Sequence, residues 1–265
     1  GSEHGGEFRE AGWAGKVLAR LGLPSALRQA MDSGIASEED FFQGNSGDTI
    51  TRVRFNNGAV GIRKKLNPQQ SWARQPEESA DAEVLGPVVA KALGVPAPEV
   101  IRVAPDEVMM EYIPSTPSVW AQWDKATGLV LHVEGRWTPL RRGVLDMLTE
   151  NHDRDNPTNL RLTESGLQYT IDHSKLFGYE ADRGPGRPGN MVPGAYARMF
   201  TMGFQDPKWR PNPLTRADIA WLHARLEEIR PQFEAAGRMQ WWDGMKARVD
   251  GLATKARGTT DMLAG

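Results

Sequence analysis

The order of apolar and polar residues changes character along the chain, and each change marks an element. Near the start, Trp13, Val17, Leu18 and Leu21 recur at three- and four-residue spacing. That spacing predicts a helix over 11–31, interrupted at Pro24. Apolar and polar residues then alternate in TITRVRF (49–55) and AVGIRKKL (59–66). Alternation with period two predicts strands, and Asn56-Asn57-Gly58 between them predicts a hairpin whose turn needs positive φ. Helical spacing returns in PEESADAEVLGPVVAKAL (76–93) and stops at Gly94 and Pro96. Pro87 inside this run predicts a kink or a break. EVIRV (99–103) and EVMMEYI (107–113) read as two further strands around Pro105-Asp106. Up to about Pro114 the predicted order is β-β-α-β-β.

Beyond Pro114 helices dominate. In LRRGVLDMLTE (140–150), Leu140, Val144, Leu145 and Leu148 cluster on one face. Two short alternating runs follow, one around Leu160 and one at Tyr169-Thr170-Ile171. Residues 179–213 are rich in Gly, Pro and Arg and read as a long loop. Thr215 with Asp218 forms a capping box ahead of Ile219, Leu222, Leu226 and Ile229. A last helix covers about 239–257, where Trp241, Trp242, Met239 and Met245 read as packing residues. The expected class is α+β with two lobes. A helical extension (1–35) precedes a β-rich N-lobe (36–116) and a mainly helical C-lobe (117–265), with the boundary near 114–118.

Composition narrows the function. The 265 residues are 39% hydrophobic and 25% charged, which suits a globular core. A net charge of -2 gives no support for a nucleic-acid partner. The absence of cysteine excludes disulfides and thiolate metal sites. The histidines, His4, His132, His152, His173 and His223, are too scattered to suggest zinc. No apolar run approaches the roughly 20 residues that span a bilayer. GSEHGGEF lacks the apolar core of a signal peptide. The expectation is a cytoplasmic protein with no integral membrane segment.

Several polar residues stand out. The loop QGNSGD (43–48) contains Gly44, Asn45, Ser46 and Gly47, small enough for backbone N–H groups to approach phosphate oxygens. The same composition serves plain turns. Period two places Lys64 on one strand face with Val60 and Ile62, and Arg63 and Lys65 on the other. An inward lysine requires an anionic partner, because an unpaired buried ammonium is costly. Glu83, on the following helix, is the candidate. NHDRDNPTNLRL (151–162) and YTIDHSKLFG (169–178) then bring Asp153, Asn159 and Asp172 to the ends of two short strands. Carboxylate and amide oxygens suit a hard cation such as Mg²⁺, and Asp153 could orient or deprotonate a hydroxyl. His152 and His173 read as bracing residues. Each residue alone has an ordinary turn or surface reading. The ordered series of loop, lysine, glutamate, two strands and Asp…Asn…Asp is that of a kinase.

DRDNPTN and IDHSKLFG resemble the catalytic and metal-binding segments of phosphatidylinositol 3- and 4-kinase-like proteins. The HipA-type bacterial kinases share this pattern. AEVLGPVVAKALGVPAPEV (82–100) is similar to the glutamate-bearing helix and following strand of the bacterial members. The likeness runs from about Gly44 to Gly178. It implies a two-lobed, protein-kinase-like fold that uses ATP and Mg²⁺. By that resemblance Gly44, Asn45, Ser46, Gly47 and Lys64 meet the nucleotide phosphates, and Glu83 holds Lys64. Glu111, Tyr112 and Ile113 form the hinge strand that offers backbone groups to adenine. Asp153 is the catalytic aspartate, and Asn159 and Asp172 are the metal ligands. Two departures matter. Asn159 is six residues after Asp153, where those families usually have five. Either Pro157 marks an insertion or Asp155 takes the catalytic place. Asp172-His173-Ser174 also stands where protein kinases have Asp-Phe-Gly. The implied activity is γ-phosphoryl transfer to a hydroxyl on a protein, a metabolite or a lipid. Alternatives are a non-catalytic nucleotide-binding module and a same-fold enzyme that transfers AMP. Arg183 and Arg187 could meet an anionic substrate or be solvated loop residues. No polybasic cluster or basic amphipathic helix points to a lipid surface.

Overall fold

β-branched and alternating sequences build a five-stranded antiparallel sheet of order β1-β2-β3-β5-β4. The strands are β1 (Ile35–Gln43), β2 (Thr49–Phe55), β3 (Val60–Lys65), β4 (Val100–Ala104) and β5 (Glu107–Glu111). The computed structural model describes residues 25–43, 47–67, 75–117, 138–151, 159–177 and 214–253. β1 was not expected from sequence, because Glu38-Glu39-Asp40 breaks any apolar alternation. Among the described residues it is an edge strand, and Glu38 and Glu39 pair with arginines of β3 and β2. Arg63 donates to Glu38 (2.8 and 2.5 Å) and Arg52 to Glu39 (2.9 Å). Charges on an edge also discourage pairing with a second chain.

The β2–β3 turn differs from the two-residue hairpin that Asn-Gly suggests. Gly58 alone of the turn residues has positive φ (85°). Its N–H donates to the Phe55 carbonyl and the Phe55 N–H to the Ala59 carbonyl, both at 2.9 Å. This is a type I turn followed by a glycine bulge.

The two faces of the sheet are covered by different helices. On one face, Val53, Phe55, Ile101 and Met109 pack with Leu27 and Ala30 of α1 (Ala26–Asp32). Ser25 caps α1 by accepting from the Arg28 N–H at 3.2 Å. Of the expected helix over 11–31, the structure shows Ala26–Asp32, and 11–24 lie outside the described residues. On the other face, Leu66 and Val108 pack against Ala80 of α2 (Pro76–Ala92), with Val84, Val100 and Met110 alongside.

α2 is buried over most of its length, with Asp81 and Glu83 among its buried residues. Its remaining apolar residues, Ala82, Leu85, Val89 and Ala90, enter the main core, formed with α3 (Thr138–Leu148), α4 (Arg216–Ala235) and α5 (Met239–Ala253). Leu145, Leu148, Leu222, Leu226, Phe233, Met245 and Val249 fill that core. Packing on both sides explains why Pro87 does not end it: α2 continues through Pro87 to Ala92, so the break that the sequence allowed does not occur. The proline has no N–H for the Glu83 carbonyl, but tertiary contacts hold both halves. The Thr215–Asp218 capping box forms as read, with the Thr215 hydroxyl accepting from the Asp218 N–H at 3.1 Å. Trp241 stacks on Phe177, with centroids 4.8 Å apart and planes 7° apart. A second sheet joins β6 (Thr116–Pro117), β7 (Leu160–Leu162) and β8 (Gln168–Thr170).

Candidate functional site

The site begins with Lys64. In β3 it lies opposite Ile50 of β2 and Val108 of β5, on the face that α2 covers. It is 5% exposed, so its ammonium needs partners inside the protein. Three carboxylates supply them. Nζ donates to Glu83 Oε1 at 2.6 Å and to Asp172 Oδ1 at 2.8 Å, and lies 3.5 Å from Asp48 Oδ2. Burial alone would lower the Lys64 pKa. Asp172, Glu83 and Asp48 together overcome that and hold it well above its ordinary value. The three carboxylates therefore favour the charged ammonium.

Glu83 is the tie between the two parts of the chain. One oxygen accepts from Lys64, and the other accepts from the His173 backbone N–H at 2.9 Å. It is 1% exposed, and burial raises its pKa against the opposing pull of Lys64. Gly86 stands one helical turn further along α2. A Cβ there would lie 2.6 Å from His173 Cβ and 2.8 Å from Leu176 Cδ1. The segment after β8 can approach α2 this closely only because residue 86 has no side chain.

Asp172 follows β8 with φ of 55°, in the left-handed region that few non-glycine residues adopt. Burial would raise its pKa, but Lys64 holds the carboxyl well below the usual carboxylate range. Ser174 Oγ also donates to it at 3.0 Å. Asn159 is buried at the start of β7, and its carbonyl accepts from the Ile171 N–H at 3.0 Å. Asn159 and Asp172 therefore stand at the same end of the β7–β8 ladder, which pairs Leu160 with Thr170. Thr170 in turn donates its N–H to the Pro96 carbonyl at 2.9 Å, fixing this sheet to the chain just after α2.

At the end of β5, the Glu111 side chain turns toward β4 and accepts from the Glu99 N–H at 3.1 Å. Burial raises its pKa. Tyr112 lies edge to face with Phe41, centroids 6.2 Å apart. The Ile113 carbonyl accepts from Ser115 Oγ at 2.8 Å, and Arg161 of β7 donates to the Ser115 carbonyl at 2.6 Å. These bonds clamp the connection between the two sheets.

Lys64, Glu83 and Asp172 thus converge at one point, with Asn159 beside the strand that carries Asp172. Gly47 ends the small-residue loop with φ of 74°. Gly44, Asn45, Ser46, Asp153, Asp155, Arg183 and Arg187 lie outside the described residues. Two contributors were missed from sequence. Asp48 was quoted only as the end of a loop. Its role follows from the β2–β3 register, which sets it beside Asn67, whose N–H donates to Asp48 Oδ1 at 2.9 Å. Gly86 carried a usable signal, because a glycine in a helix interior costs about 1 kcal/mol relative to alanine and calls for a packing reason.

When all are ionised, the carboxylates around Lys64 leave two negative charges in excess. The site is therefore suited to a cation, and to a polyanion only together with one. Among the described residues no group of three or more histidine, aspartate or glutamate side chains could hold a metal ion by itself. Among the described residues no helix is long and apolar enough to cross a membrane.

No protein-family model and no curated protein sequence matches the chain. Solved structures do show similarity. Rv3197 from Mycobacterium tuberculosis, solved as a complex with erythromycin, aligns at TM-score 0.34 and 16% identity over 65% of this chain. The chain spans 56% of the length of that protein. Rio2 kinase from Chaetomium thermophilum aligns at TM-score 0.43 and 14% identity, covering 91% of this chain and 86% of the other. In the complex of that kinase with ADP/Mg²⁺ and phosphoaspartate, the values are TM-score 0.40, 12% identity, and 86% and 74% coverage.

Proposed function

We propose that this chain is a Mg·ATP-dependent phosphotransferase of the atypical kinase type, passing the γ-phosphoryl group to a hydroxyl on a protein, a metabolite or a lipid. The observation that carries this reading is the convergence on the Lys64 ammonium of carboxylates from α2 and from the end of β8. An ordinary structural ion pair needs one partner. Here a charged lysine meets a fully buried glutamate and an aspartate in strained backbone, at the junction of two sheets. Strained backbone of this kind clusters at functional sites.

Each residue has a role in this reading. Lys64 holds the nucleotide phosphates by charge and hydrogen bonds. Glu83 keeps Lys64 extended and, through the His173 N–H, fixes the height of Asp172. Asp172 and Asn159 would hold Mg²⁺, whose charge offsets that of the phosphates. Gly44, Asn45, Ser46 and Gly47 contribute backbone N–H groups. The backbone of Glu111, Tyr112 and Ile113 borders the base. Asp153 aligns the acceptor hydroxyl and takes up its proton, a role that rests on the sequence motif. Catalysis of this kind is positioning and charge neutralisation.

The test is ATP turnover with and without Mg²⁺, paired with a binding isotherm for Mg·ATP. The reading expects Mg²⁺-dependent binding in the parent and loss of turnover in Asp172→Asn. A parent protein that binds no Mg·ATP at millimolar concentration refutes it.

A further inference from the structure

Outside the Lys64 cluster, the sheet face that carries it holds a second arrangement that the phosphate-handling residues do not explain. Arg52 of β2 pairs with Ile62 of β3, two residues before Lys64. Paired residues in an antiparallel sheet share a face, so Arg52 lies on the Lys64 face. Its guanidinium carbon stands over the Phe41 ring at 4.3 Å from the centroid, and over the Tyr112 ring at 5.4 Å. The two rings are perpendicular, with an interplanar angle of 89°. The guanidinium therefore sits in the corner they form, and Glu39 Oε1 pins it at 2.9 Å. The Arg52 side chain remains 32% exposed, and its Nε is buried without a hydrogen-bond partner.

A cross-strand ion pair alone does not need this construction. Arg63, on the opposite face of the sheet, makes such a pair with Glu38 and approaches Glu107 at 3.6 Å. Arg52 differs in lying in the corner of two perpendicular rings, one of them from Tyr112 at the connection between the sheets. A planar cation fixed against aromatic faces is a surface for stacking another flat ring, because the guanidinium and π faces are weakly hydrated.

We propose that Arg52, held by Phe41, Tyr112 and Glu39, is the stacking platform for the base of the bound nucleotide, and so sets its selectivity for nucleotides over bare polyphosphates. This rests on the phosphotransferase reading, since it assigns a base to the same ligand whose phosphates Lys64 holds. Lys64 answers to phosphate charge, and Arg52 answers to the ring.

The experiment measures the affinities of Mg·ATP and Mg·tripolyphosphate, which shares the phosphate chain but has no base, in four proteins. These are the parent, Arg52→Met, Arg52→Lys and Arg63→Met. The expected result is a roughly 3- to 30-fold loss of Mg·ATP affinity in Arg52→Met, the range of a half-buried cation–π contact. Tripolyphosphate affinity should stay within twofold of the parent. Arg52→Lys keeps the charge without the plane and should lose Mg·ATP affinity as well, which also covers the case in which Arg52→Met fails to fold. Arg63→Met should bind both ligands as the parent does. Equal losses for both ligands in Arg52→Met mean that Arg52 acts on phosphate charge, and they overturn the proposal. Parent-like binding of both overturns it too, leaving only a surface ion pair. A parent protein that binds tripolyphosphate as tightly as ATP refutes the platform but not the phosphate site. One that binds neither refutes the phosphotransferase reading itself.

Discussion

Replacing Gly86 by alanine sets two effects of opposite sign against each other, and the structure decides between them. Gly86 lies in the interior of α2, where alanine gains about 1 kcal/mol of helix propensity over glycine. Propensity alone therefore predicts stabilisation. The added Cβ would lie 2.6 and 2.7 Å from His173 Cβ and Cγ and 2.8 Å from Leu176 Cδ1. Ordinary carbon contacts are about 3.5–4 Å, so something must move by roughly 1 Å. The two nearest atoms, His173 Cβ and Cγ, lie close to the backbone and are not a flexible end. His173 is 1% exposed and Leu176 is 1% exposed, and both are held in the core. Overpacking of this kind costs about 1–3 kcal/mol. The net expectation is destabilisation of up to about 2 kcal/mol, with propensity offsetting part of the strain.

Where the strain goes matters more for function. Moving His173 outward lengthens its N–H bond to Glu83, now 2.9 Å, and lifts Asp172 away from Lys64. Gly86→Ala should therefore weaken Mg·ATP binding although residue 86 touches no ligand. Gly244→Ala in α5 is the control, since its nearest neighbour is the far end of the Arg248 guanidinium at 3.4 Å, which can shift. That variant should be neutral or stabilised by up to about 1 kcal/mol. Urea unfolding gives both stabilities and a titration gives the binding. A Gly86→Ala protein that is more stable than the parent and binds Mg·ATP equally well refutes the close-packing argument.

Three other outcomes are expected. Lys64→Met leaves its carboxylates without a countercharge and should lose about 3–5 kcal/mol in urea unfolding, as for breaking a buried pair. Lys65→Met, on the exposed side of the same strand, should change stability by less than about 0.5 kcal/mol; a reversal would place the β3 register one residue off. The Asp172 carboxyl is held below its unfolded value, so its contribution is present above about pH 4 and lost as pH falls further. Asp172→Asn should therefore flatten the acid limb of a stability–pH profile, and an unchanged limb would show that Lys64 does not depress this group. In the segment after Asn151, Asp153→Asn should bind Mg·ATP normally and turn over roughly 10²–10⁴-fold more slowly, while Asp155→Asn stays within a few-fold. The opposite pattern moves the catalytic aspartate two residues along.

Local pattern determined much of this protein. Period two marked β2 and β3, β-rich runs around Pro105-Asp106 marked β4 and β5, and the inward side of β3 followed from Val60, Ile62 and Lys64 alone. Thr215 and Asp218 announced the start of α4, because a capping box is a contact between residues three apart. β1 escaped, since Glu38 and Glu39 are satisfied by arginines on other strands and not by local alternation. Pro87 allowed a break that does not occur for a similar reason: a proline breaks an isolated helix, but α2 is held by packing on both sides. The site itself was decided by tertiary structure. Lys64 meets Glu83 across 19 residues of sequence and Asp172 across 108. A sequence can state that a buried ammonium must find an anion, because desolvation makes that compulsory. Which of its 34 acidic residues arrive there depends on strand register and on the approach that Gly86 permits between α2 and the segment after β8. Those are distances between distant parts of the chain, and they come into being only when the helices close around α2.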